Sequence, residues 1–338
     1  MAVLTGDVLV VNAGSTSLKL SVVGTDDVPR PVASLADAPR IAVVGHRVVH
    51  GGARFSAPTL IDDAVLAELT ALIELAPLHN APAVDAINAA RKALPDATHI
   101  AVFDTAFHKT LPEVASTYLL PAHFREQGVR RYGFHGLSVQ WVAERVAVPR
   151  LVVCHLGGGS SVTAVRDGQS VDTTMGFTPL EGVPMATRAG SVDPGALLYL
   201  LRHGVSLDEL DRALEHESGL TALAGTGDVA VLEADTSPEA ELALGVYCYR
   251  IAQAIAAMTV SLGGLDALAF TAGVGEHSAA VRFAICRQLA FLGICLDESA
   301  NASAGGDTEV SASSSSVRVH VVTAREDVVV ARAVRGLA

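Results

Sequence analysis

The chain has 338 residues, of which 50% are apolar and 18% are charged, and its formal net charge is −12. That length accommodates two domains with substantial cores, and the acidic balance argues against nucleic-acid binding, which needs a basic surface. Because the sequence shows no leader-like segment, no uncharged apolar run of membrane-spanning length and no CxxC pair among its 4 cysteines, we expect a cytoplasmic protein with free thiols and no membrane partner.

The predicted elements alternate between strands and helices along the whole chain. In the first half, strands are predicted over residues 8–11, 19–23, 41–49 and 99–103, helices over 62–76, 83–93 and 136–147, a polar loop over 25–40, and a proline-bounded break over 77–82. In the second half, strands are predicted over 151–165 (a hairpin), 267–272 and 317–322, helices over 207–217, 238–262, 278 onward and 326–334, an irregular loop over 173–195, and a low-complexity loop over 299–316. The domain border is predicted at residue 147.

Two segments, 8–23 and 151–165, share one pattern: a buried strand, a Gly/Ser turn and a second strand. Glycine lets the backbone approach an anion closely and successive N–H groups form a nest, so both turns suit phosphate. The repetition predicts a duplicated α/β architecture with a ligand between the copies. Asn12 and Lys19 flank the first turn, where they suit a phosphate or a metal-bound water, but an ordinary hairpin with a solvated lysine fits equally well.

Four charged residues stand out by their positions. Arg47 lies inside an apolar strand, so it needs an anionic partner, either a ligand or a structural Asp. Asp104 follows a buried strand, at the end where α/β sheets collect ligands. Arg188, in the irregular loop, would either form a guanidinium clamp with Arg47 or lie on the surface. Glu326 would either hold a divalent cation or favour the start of a helix through the helix dipole.

Histidines are frequent in the predicted turns, where His79, His108, His135 and His155 follow or separate strong elements. A zinc site is disfavoured because no HxH, HExxH or paired-cysteine spacing is present. Each histidine alone fits a structural role better than a catalytic one. The segment 273–277, between a strand and a helix, would place an anion or a ribose at a helix N-terminus.

The motifs taken together resemble the acetate kinase family, of the acetate and propionate kinases within the superfamily of sugar kinases, heat-shock ATPases and actin. The matching stretches are NAGSTSLK, GHRVVHGG, APLHNAP, VFDTAFHKTLP, RRYGFHGLS, CHLGGGSS, TTMGFTPLEGVPMATRAGSVDPG and FTAGVGEHSAAVR. The resemblance covers nearly the whole chain, in the family's order. It implies a duplicated actin-like (ribonuclease H-like) two-domain fold with an interdomain active-site cleft, and a homodimer. The domains would be 1–147, joined by a returning helix over 327–338, and a nucleotide-binding domain over 148–326.

The resemblance also implies a reaction, reversible phosphoryl transfer from ATP to a short-chain carboxylate, and assigns residues to it by motif. Asn12 and Glu326 would sit at Mg²⁺ (with Mn²⁺ possible), Lys19 would face the nucleotide phosphates, Arg47 would bind substrate, Asp104 would be the catalytic carboxylate, His135 and Arg188 would stabilise the transition state, and His79 and Phe134 would lie near the acyl pocket. The ATP site would comprise His155, Leu156, Gly157, Gly158, Gly159, Asp228, Val229, Ala230, Gly273, Val274, Gly275, Glu276 and His277.

The chain departs from the family pattern mostly on the nucleotide side. Gly158 stands where the family has Asn, Ala230 where it has Arg, and His277 where it has Asn, and residues are missing between Val23 and Ile41. Acetate is the first expected substrate and propionate the next. The departures keep two alternatives open, a pyrophosphate-dependent kinase and a nucleotide-binding regulator with weakened turnover.

Overall fold

We describe the protein from a computed structural model, which covers residues 6–14, 18–38, 41–75 and 77–337, except for the side chains of 75 and 77–79. The chain forms two compact units. The first contains the described chain up to Lys109, Leu119–Trp141 and the residues from Arg325 onward; the second contains Thr110–Tyr118 and Val142–Ala324. The border at Trp141 differs from the predicted border at 147, because it falls inside a continuous helix.

The described part of the first unit contains a six-stranded sheet. Its strands are β1 (Val8–Ala13), β2 (Leu18–Val23), β3 (Pro29–Val32), β4 (Val43–Val48), β5 (Thr59–Leu60) and β6 (Thr98–Phe103). They pair in the order β3-β2-β1-β4-β6-β5. β1, β2 and β3 form an antiparallel meander, β4 and β6 run parallel to β1, and β5 is antiparallel at the edge. The carboxyl ends of β1, β4 and β6 therefore lie at one end of this sheet.

The sheet of the second unit repeats this arrangement. Its strands are β7 (Arg150–Leu156), β8 (Ser160–Arg166), β9 (Gln169–Thr173), β10 (Ala267–Thr271), β11 (Thr308–Glu309) and β12 (Arg318–Val321). They pair in the order β11-β12-β10-β7-β8-β9, with β7, β8 and β9 antiparallel and with β10 and β12 parallel to β7. β7 to β9 thus correspond to β1 to β3, and β10 and β12 to β4 and β6, which confirms the predicted duplication.

Helices occupy most of the remaining described chain. The α-helices are α1 (Asp63–Ala71), α2 (Pro77–Ala93), α3 (Glu113–Ser116), α4 (Ala122–Arg125), α5 (Gly136–Val146), α6 (Pro194–Arg202), α7 (Leu207–Arg212), α8 (Gly219–Ala224), α9 (Val229–Ala234), α10 (Pro238–Leu262), α11 (Ala272–His277), α12 (Ala279–Gln288), α13 (Glu298–Ala302) and α14 (Glu326–Arg335). Short 3₁₀ turns cover Leu35–Asp37, Leu72–Leu75, Asp104–Thr110 and Ala290–Leu292, and a π turn covers Ala213–Glu217.

The first unit buries both faces of its sheet. Val44 on β4 clusters with Ala86 of α2, whereas a Cβ at the neighbouring Gly45 would meet Val330 of α14. Since successive residues of a strand point to opposite faces, α2 and α14 cover opposite faces of this sheet. The start of α14 is thereby placed beside β1 and β4.

The second unit has its core around α10, which contacts β7 and β8. Its buried side chains recur every three or four positions from Ala240 to Leu262, as expected for a helix with one face in a core. By length and composition alone, α10 is also the one helix of the described chain that could cross a membrane, a test that core helices of soluble proteins pass as well. The helix predicted over 238–262 is therefore a core helix of the second unit.

Three local predictions are wrong. The polar segment 25–40 contains β3 and a 3₁₀ turn, because its prolines sit on an edge strand where no N–H is needed. The predicted break over 77–82 is the start of α2, with Pro82 inside the helix. The low-complexity segment 299–316 carries most of α13, then β11 and a bridge from Leu296 to Ser311. The predicted free thiols are confirmed.

Candidate active site

A cluster of four polar residues lies at the carboxyl end of the first sheet; we call it the Arg47 cluster. Asn12 is on β1 and Arg47 is its register partner on β4. Asp104 follows β6 directly, and Glu326 is the first residue of α14. The parallel strands end together, so residues that are far apart in sequence meet here; Asn12 and Glu326 are 314 positions apart.

Arg47 is the centre of the cluster. Its Nε lies 3.1 Å from both carboxylate oxygens of Asp104, and its Nη2 donates to Asp104 Oδ2 at 2.5 Å. Its Nη1 donates to the Asn12 amide oxygen at 3.0 Å. Glu326 Oε2 lies 3.5 Å from Arg47 Nε and accepts from Asn12 Nδ2 at 3.3 Å. Such two-pronged contacts fix the orientation of the guanidinium plane.

Burial sets the electrostatics of this cluster, since the Asp104 side chain is 0% exposed and the Arg47 side chain 13%. Burial raises the pKa of Asp104 from 3.8 to about 6; Glu326 acts in the same direction and Arg47 against it. Burial also disfavours the charge on Arg47, but Asp104 and Glu326 outweigh it and raise the pKa of the guanidinium. With Asp104 ionised, its carboxylate and that of Glu326 both lie beside the Arg47 guanidinium, and two neighbouring carboxylates suit a further cation.

The composition of the cluster fits Mg²⁺ better than a transition metal. Within the described ranges, no group of three His, Cys, Asp or Glu side chains is arranged to hold a metal. Mg²⁺ needs no such cage, since it keeps several waters and commonly binds through one or two carboxylates plus substrate phosphates. Asp104 and Glu326 supply two carboxylates, and Asn12 supplies an amide.

The turn after β4 is held by buried polar contacts that the sequence did not indicate. The side chain of Asn80, on α2, is hydrogen-bonded to both backbone polar groups of His50. Gly51 donates its N–H to the hydroxyl of Thr105 at 3.1 Å, which connects this turn to the residue after Asp104. The motif APLHNAP marked this region, but the paired amide contacts of Asn80 depend on a helix where a break was predicted.

Phe134 and His135 are placed next to the Arg47 cluster by their neighbours. Phe134 is 1% exposed, its ring is 5.3 Å from that of His50, and its carbonyl is 2.9 Å from His108 Nε2. Burial lowers the pKa of His108 to about 4, so its neutral Nε2–H donates this bond. His135 has a φ of 59°, and a Cβ on the following Gly136 would collide with the Asp104 carbonyl. The chain therefore needs glycine here to bring His135 close to Asp104.

Two predicted residues of the first unit receive less structural support. Lys19 is exposed on β2, directly opposite Asn12 in the strand register, so both side chains project on one face of the hairpin. The turn serines, Ser15 and Ser17, lie outside the described residues, and so does the side chain of His79.

The second unit contains a cavity of about 370 Å³. It is lined by Gly157, Gly158, Gly227, Asp228, Val229, Ala230, Glu233, Gly273, Val274, His277 and Ser278. Three separate predicted segments thus meet at one cavity: the glycine turn after β7, the start of α9 and the start of α11. Asp228 accepts from the Ala230 N–H at 2.9 Å and so caps α9. A space that is lined by glycine backbone and by helix starts suits phosphate and ribose.

Five predicted nucleotide residues support this cavity rather than line it. They are His155, Leu156, Gly159, Gly275 and Glu276. His155 and Leu156 are buried in β7, and Gly159 accepts from the Gly157 N–H at 3.0 Å. Three lining residues were missed, namely Gly227, Glu233 and Ser278. Ser278 was expected only to begin a helix; it does cap α12, and its hydroxyl also donates to Glu233.

A buried arginine supports the end of α11, which borders this cavity. Arg282 is 1% exposed. Its Nη1 donates to the carbonyls of Gly275 and Glu276 at 3.0 and 2.9 Å, and its Nε donates to the Asn301 amide oxygen at 2.7 Å. Burial lowers the pKa of Arg282. The guanidinium therefore ties the α11 end to α13 and positions the residues that face the cavity.

Arg188 is 8% exposed within the irregular loop of the second unit, so it is not the solvated surface arginine of the alternative prediction. Its Nη1 donates to the Pro179 carbonyl at 3.2 Å, and its Nε lies 3.8 Å from Glu215 Oε2. Burial lowers its pKa, and Glu215 opposes that effect. A buried guanidinium in this loop suits an anionic ligand.

Comparisons with known proteins agree with these features. The model of the acetokinase family matches residues 32–332. The acetate kinase of Protochlamydia amoebophila is 45% identical over 309 residues, which cover 89% of this chain and 78% of the relative. A propionate kinase structure from Francisella tularensis has a TM-score of 0.91 at 32% identity, covering 98% of this chain and 100% of that one. An acetate kinase structure from Porphyromonas gingivalis has a TM-score of 0.85 at 30% identity, covering 98% and 99%.

Proposed function

Because the chain belongs to the acetokinase family, we propose that it catalyses the reversible transfer of a phosphoryl group from ATP to acetate, giving acetyl phosphate and ADP. The Arg47 cluster is the observation that supports this most strongly. It combines a guanidinium for a small carboxylate with two carboxyl groups for a cation in one unit.

The chemistry of the acceptor explains why no general base is needed. A short-chain carboxylic acid has a pKa near that of a Glu side chain, about 4.3, and is already ionised at neutral pH. The barrier is the repulsion between two anions, and positioned cations relieve it. We assign this task to Arg47 and Lys19 in the first unit and Arg188 in the second, with His135 as a further donor. Phe134 and His79 belong to the acyl pocket in this proposal.

We assign Asp104 to positioning rather than to proton abstraction. It holds Arg47 in a two-pronged contact, and with Asn12 and Glu326 it would hold Mg²⁺, or Mn²⁺ in its place. When bound, the cation neutralises phosphate charge. The raised pKa of Asp104 supports this assignment, since a buried carboxylate beside a second one is relieved by a cation.

The cavity of the second unit is the proposed nucleotide site. The glycine turn Gly157–Gly159 would approach the phosphates, Asp228 to Ala230 would line the nucleoside, and Gly273 to His277 would present a helix start. His155 and Leu156, both buried, would position the turn. We further propose a cytoplasmic homodimer, which the four consecutive exposed apolar side chains of α6, Leu198 to Leu201, support.

Two alternatives have specific support. The likeness to a propionate kinase structure keeps propionate as the second acceptor. Gly158 and Ala230, both at the cavity, keep pyrophosphate as a second donor, and the same departures would fit a regulator that binds nucleotide without turnover.

A hydroxamate assay for acyl phosphate, with Mg²⁺ and every pairing of ATP or pyrophosphate with acetate or propionate, tests the proposal. We expect the highest rate with ATP and acetate. Turnover with pyrophosphate but not with ATP would show that pyrophosphate is the phosphoryl donor. A higher kcat/KM for propionate than for acetate would show that propionate is the preferred acceptor. A folded protein that binds ATP in calorimetry but forms no acyl phosphate in any pairing would establish the regulator instead.

A further inference from the structure

Another cavity, of about 240 Å³, lies in the first unit, and the proposed reaction does not use it. It is lined by Gly52, Ala53, Phe55, Ser56, Thr105, His108, Lys109, Arg130, Arg131 and Tyr132. None of the four residues of the Arg47 cluster lines it. We call it the Lys109 cavity.

The lining of the Lys109 cavity is strongly cationic. Lys109, Arg130 and Arg131 line it, and no Asp or Glu is among its lining residues. Lys109 and Arg130 are exposed, and neither forms an ion pair with any carboxylate of the described chain. The Arg130 Nε makes only a long contact to the Arg131 carbonyl at 3.4 Å, and its guanidinium lies 5.8 Å from the Tyr132 ring centre. Such a concave surface of one charge sign attracts anions. Its positive charge is opposite in sign to the net charge of the chain, which is −12.

Neutral donors complete the lining. Thr105 is 6% exposed and lines the cavity, and its hydroxyl oxygen accepts the N–H of Gly51 at 3.1 Å, a bond that leaves the hydroxyl proton unused. Ser56 is exposed and adds a second hydroxyl to the lining. Arginine forks, a lysine ammonium and hydroxyl donors together match the oxygens of a phosphate group.

We propose that the Lys109 cavity binds a small phosphate-bearing dianion, either inorganic phosphate or a short phosphomonoester. The volume is below the roughly 300–1,000 Å³ of pockets for drug-sized ligands, so the ligand is a phosphate with at most a short organic chain. Lys109 and Arg130 together match the two charges of such a ligand without any metal. The proposal concerns a site separate from the proposed reaction and does not depend on it.

The position of this site connects it to the candidate active site. Thr105 directly follows Asp104, and His108 holds the carbonyl of Phe134. Arg131 lies three residues before Phe134 in the same segment. A bound dianion therefore holds the segment that follows Asp104 and the segment that precedes His135. We expect increased protection of the backbone amides of 130–136 from hydrogen exchange when the site is filled.

Calorimetric titration of the full chain with inorganic phosphate, and separately with glycerol phosphate, tests the proposal at low ionic strength, where exposed cations are least screened. Lys109→Ala and Arg130→Ala are each expected to weaken binding about tenfold or more, since each removes a charge-assisted bond. Lys109→Arg retains the charge and is expected to retain binding. Arg125→Ala, an exposed arginine on α4 that does not line the cavity, is the matched control and should bind like the parent.

Lys19→Ala separates this site from the proposed phosphate site of the reaction. Binding and amide protection that persist in Lys19→Ala but are lost in Lys109→Ala support the proposal, and the better of the two titrants identifies the ligand as free or esterified phosphate. The proposal is overturned if neither titrant binds, if the Lys109 and Arg130 variants bind like the parent, or if Lys19→Ala alone abolishes binding. Thermal unfolding confirms that each variant is folded.

Discussion

Asn80 satisfies both backbone polar groups of His50. Its amide oxygen accepts the His50 N–H at 3.0 Å and its amide nitrogen donates to the His50 carbonyl at 3.1 Å, with both residues at most 1% exposed. This exchange resembles a strand pairing made by a side chain. It fixes the turn that follows Arg47, at the end of β4, against α2.

Replacing Asn80 should therefore destabilise the first unit. Asn80→Ala leaves a buried N–H and a buried carbonyl unpaired, at about 1–3 kcal/mol for each group. We expect a clear fall in the midpoint of urea unfolding, measured by circular dichroism. Asn88→Ala, on the exposed face of the same helix, is the control and should change the midpoint little. Equal effects of the two substitutions would contradict a special role of the Asn80 amide.

The pKa of Asp104 predicts how pH and Mg²⁺ interact. Folding raises this pKa from 3.8 to about 6, so the folded state binds the proton more tightly than the unfolded chain. The resulting stability is present below the unfolded value and is lost as the pH rises through the folded one. Above that pH a cation can replace the proton, so the rise in Tm on adding Mg²⁺ should be larger at about pH 7.5 than at about pH 5.

The variant Asp104→Asn is the control for this pH dependence. It keeps the shape of the side chain but cannot ionise, so the Mg²⁺-induced change in Tm should lose most of its variation between those two pH values. A wild-type Tm that responds to Mg²⁺ equally at both pH values would contradict the assignment of Asp104 to the cation.

A lysine should not be able to replace Arg47. Arg47→Lys keeps one charge but loses the fork that holds Asp104 and Asn12 together. We expect kcat/KM for acetate to fall at least about 10²-fold in Arg47→Lys and further in Arg47→Ala. Arg54→Ala, in which the lost side chain is 70% exposed and paired with Glu68, should leave the activity unchanged. Near-normal activity of Arg47→Lys would show that charge alone is sufficient.

Restoring the family pattern at the nucleotide cavity should favour ATP. A Cβ at Gly158 meets no atom within 4 Å, and Ala230 is exposed at the cavity, so both positions accept larger side chains. We expect the double variant Gly158→Asn, Ala230→Arg to lower the KM for ATP by about tenfold through new hydrogen bonds. The measurement is the initial rate against ATP at fixed acetate, and an unchanged or raised KM would show that these departures are not what limits nucleotide binding.

The sequence predicted the elements with strong periodicity, and the reasons for the misses are physical. Strands such as β6 and the helix α10 carry unbroken apolar patterns, and they occur where predicted. Pro82 was read as a helix breaker, yet it is the sixth residue of α2, and the helix continues through it despite the loss of one backbone hydrogen bond. Local patterns also could not indicate that Asn80 reaches a turn thirty positions earlier, because that contact exists only in the folded chain.

The sequence predicted which residues belong to the candidate site, but it did not predict most of the contacts between them. The motifs named Arg47 and Asp104 separately, and the structure joins them. The sequence marked His108 only as a histidine with a structural role and did not single out Gly136; the structure shows that His108 orients Phe134 and that Gly136 admits His135 beside the Asp104 backbone. Supporting residues of this kind carry no chemistry of their own, so only packing reveals them.

The helix α14 has a consequence for how the protein is made. It covers one face of the first sheet with five buried residues, Val328, Val329, Val330, Ala331 and Val334, and it supplies Glu326. A ribosome translates β1, β4 and β6 long before this helix emerges, so the nascent first sheet has one apolar face uncovered while the whole second unit is being synthesised. The second unit can complete its own core first, so the first unit, although it is translated earlier, is the last to finish folding. Chaperones that shield apolar surfaces are expected to act on that interval.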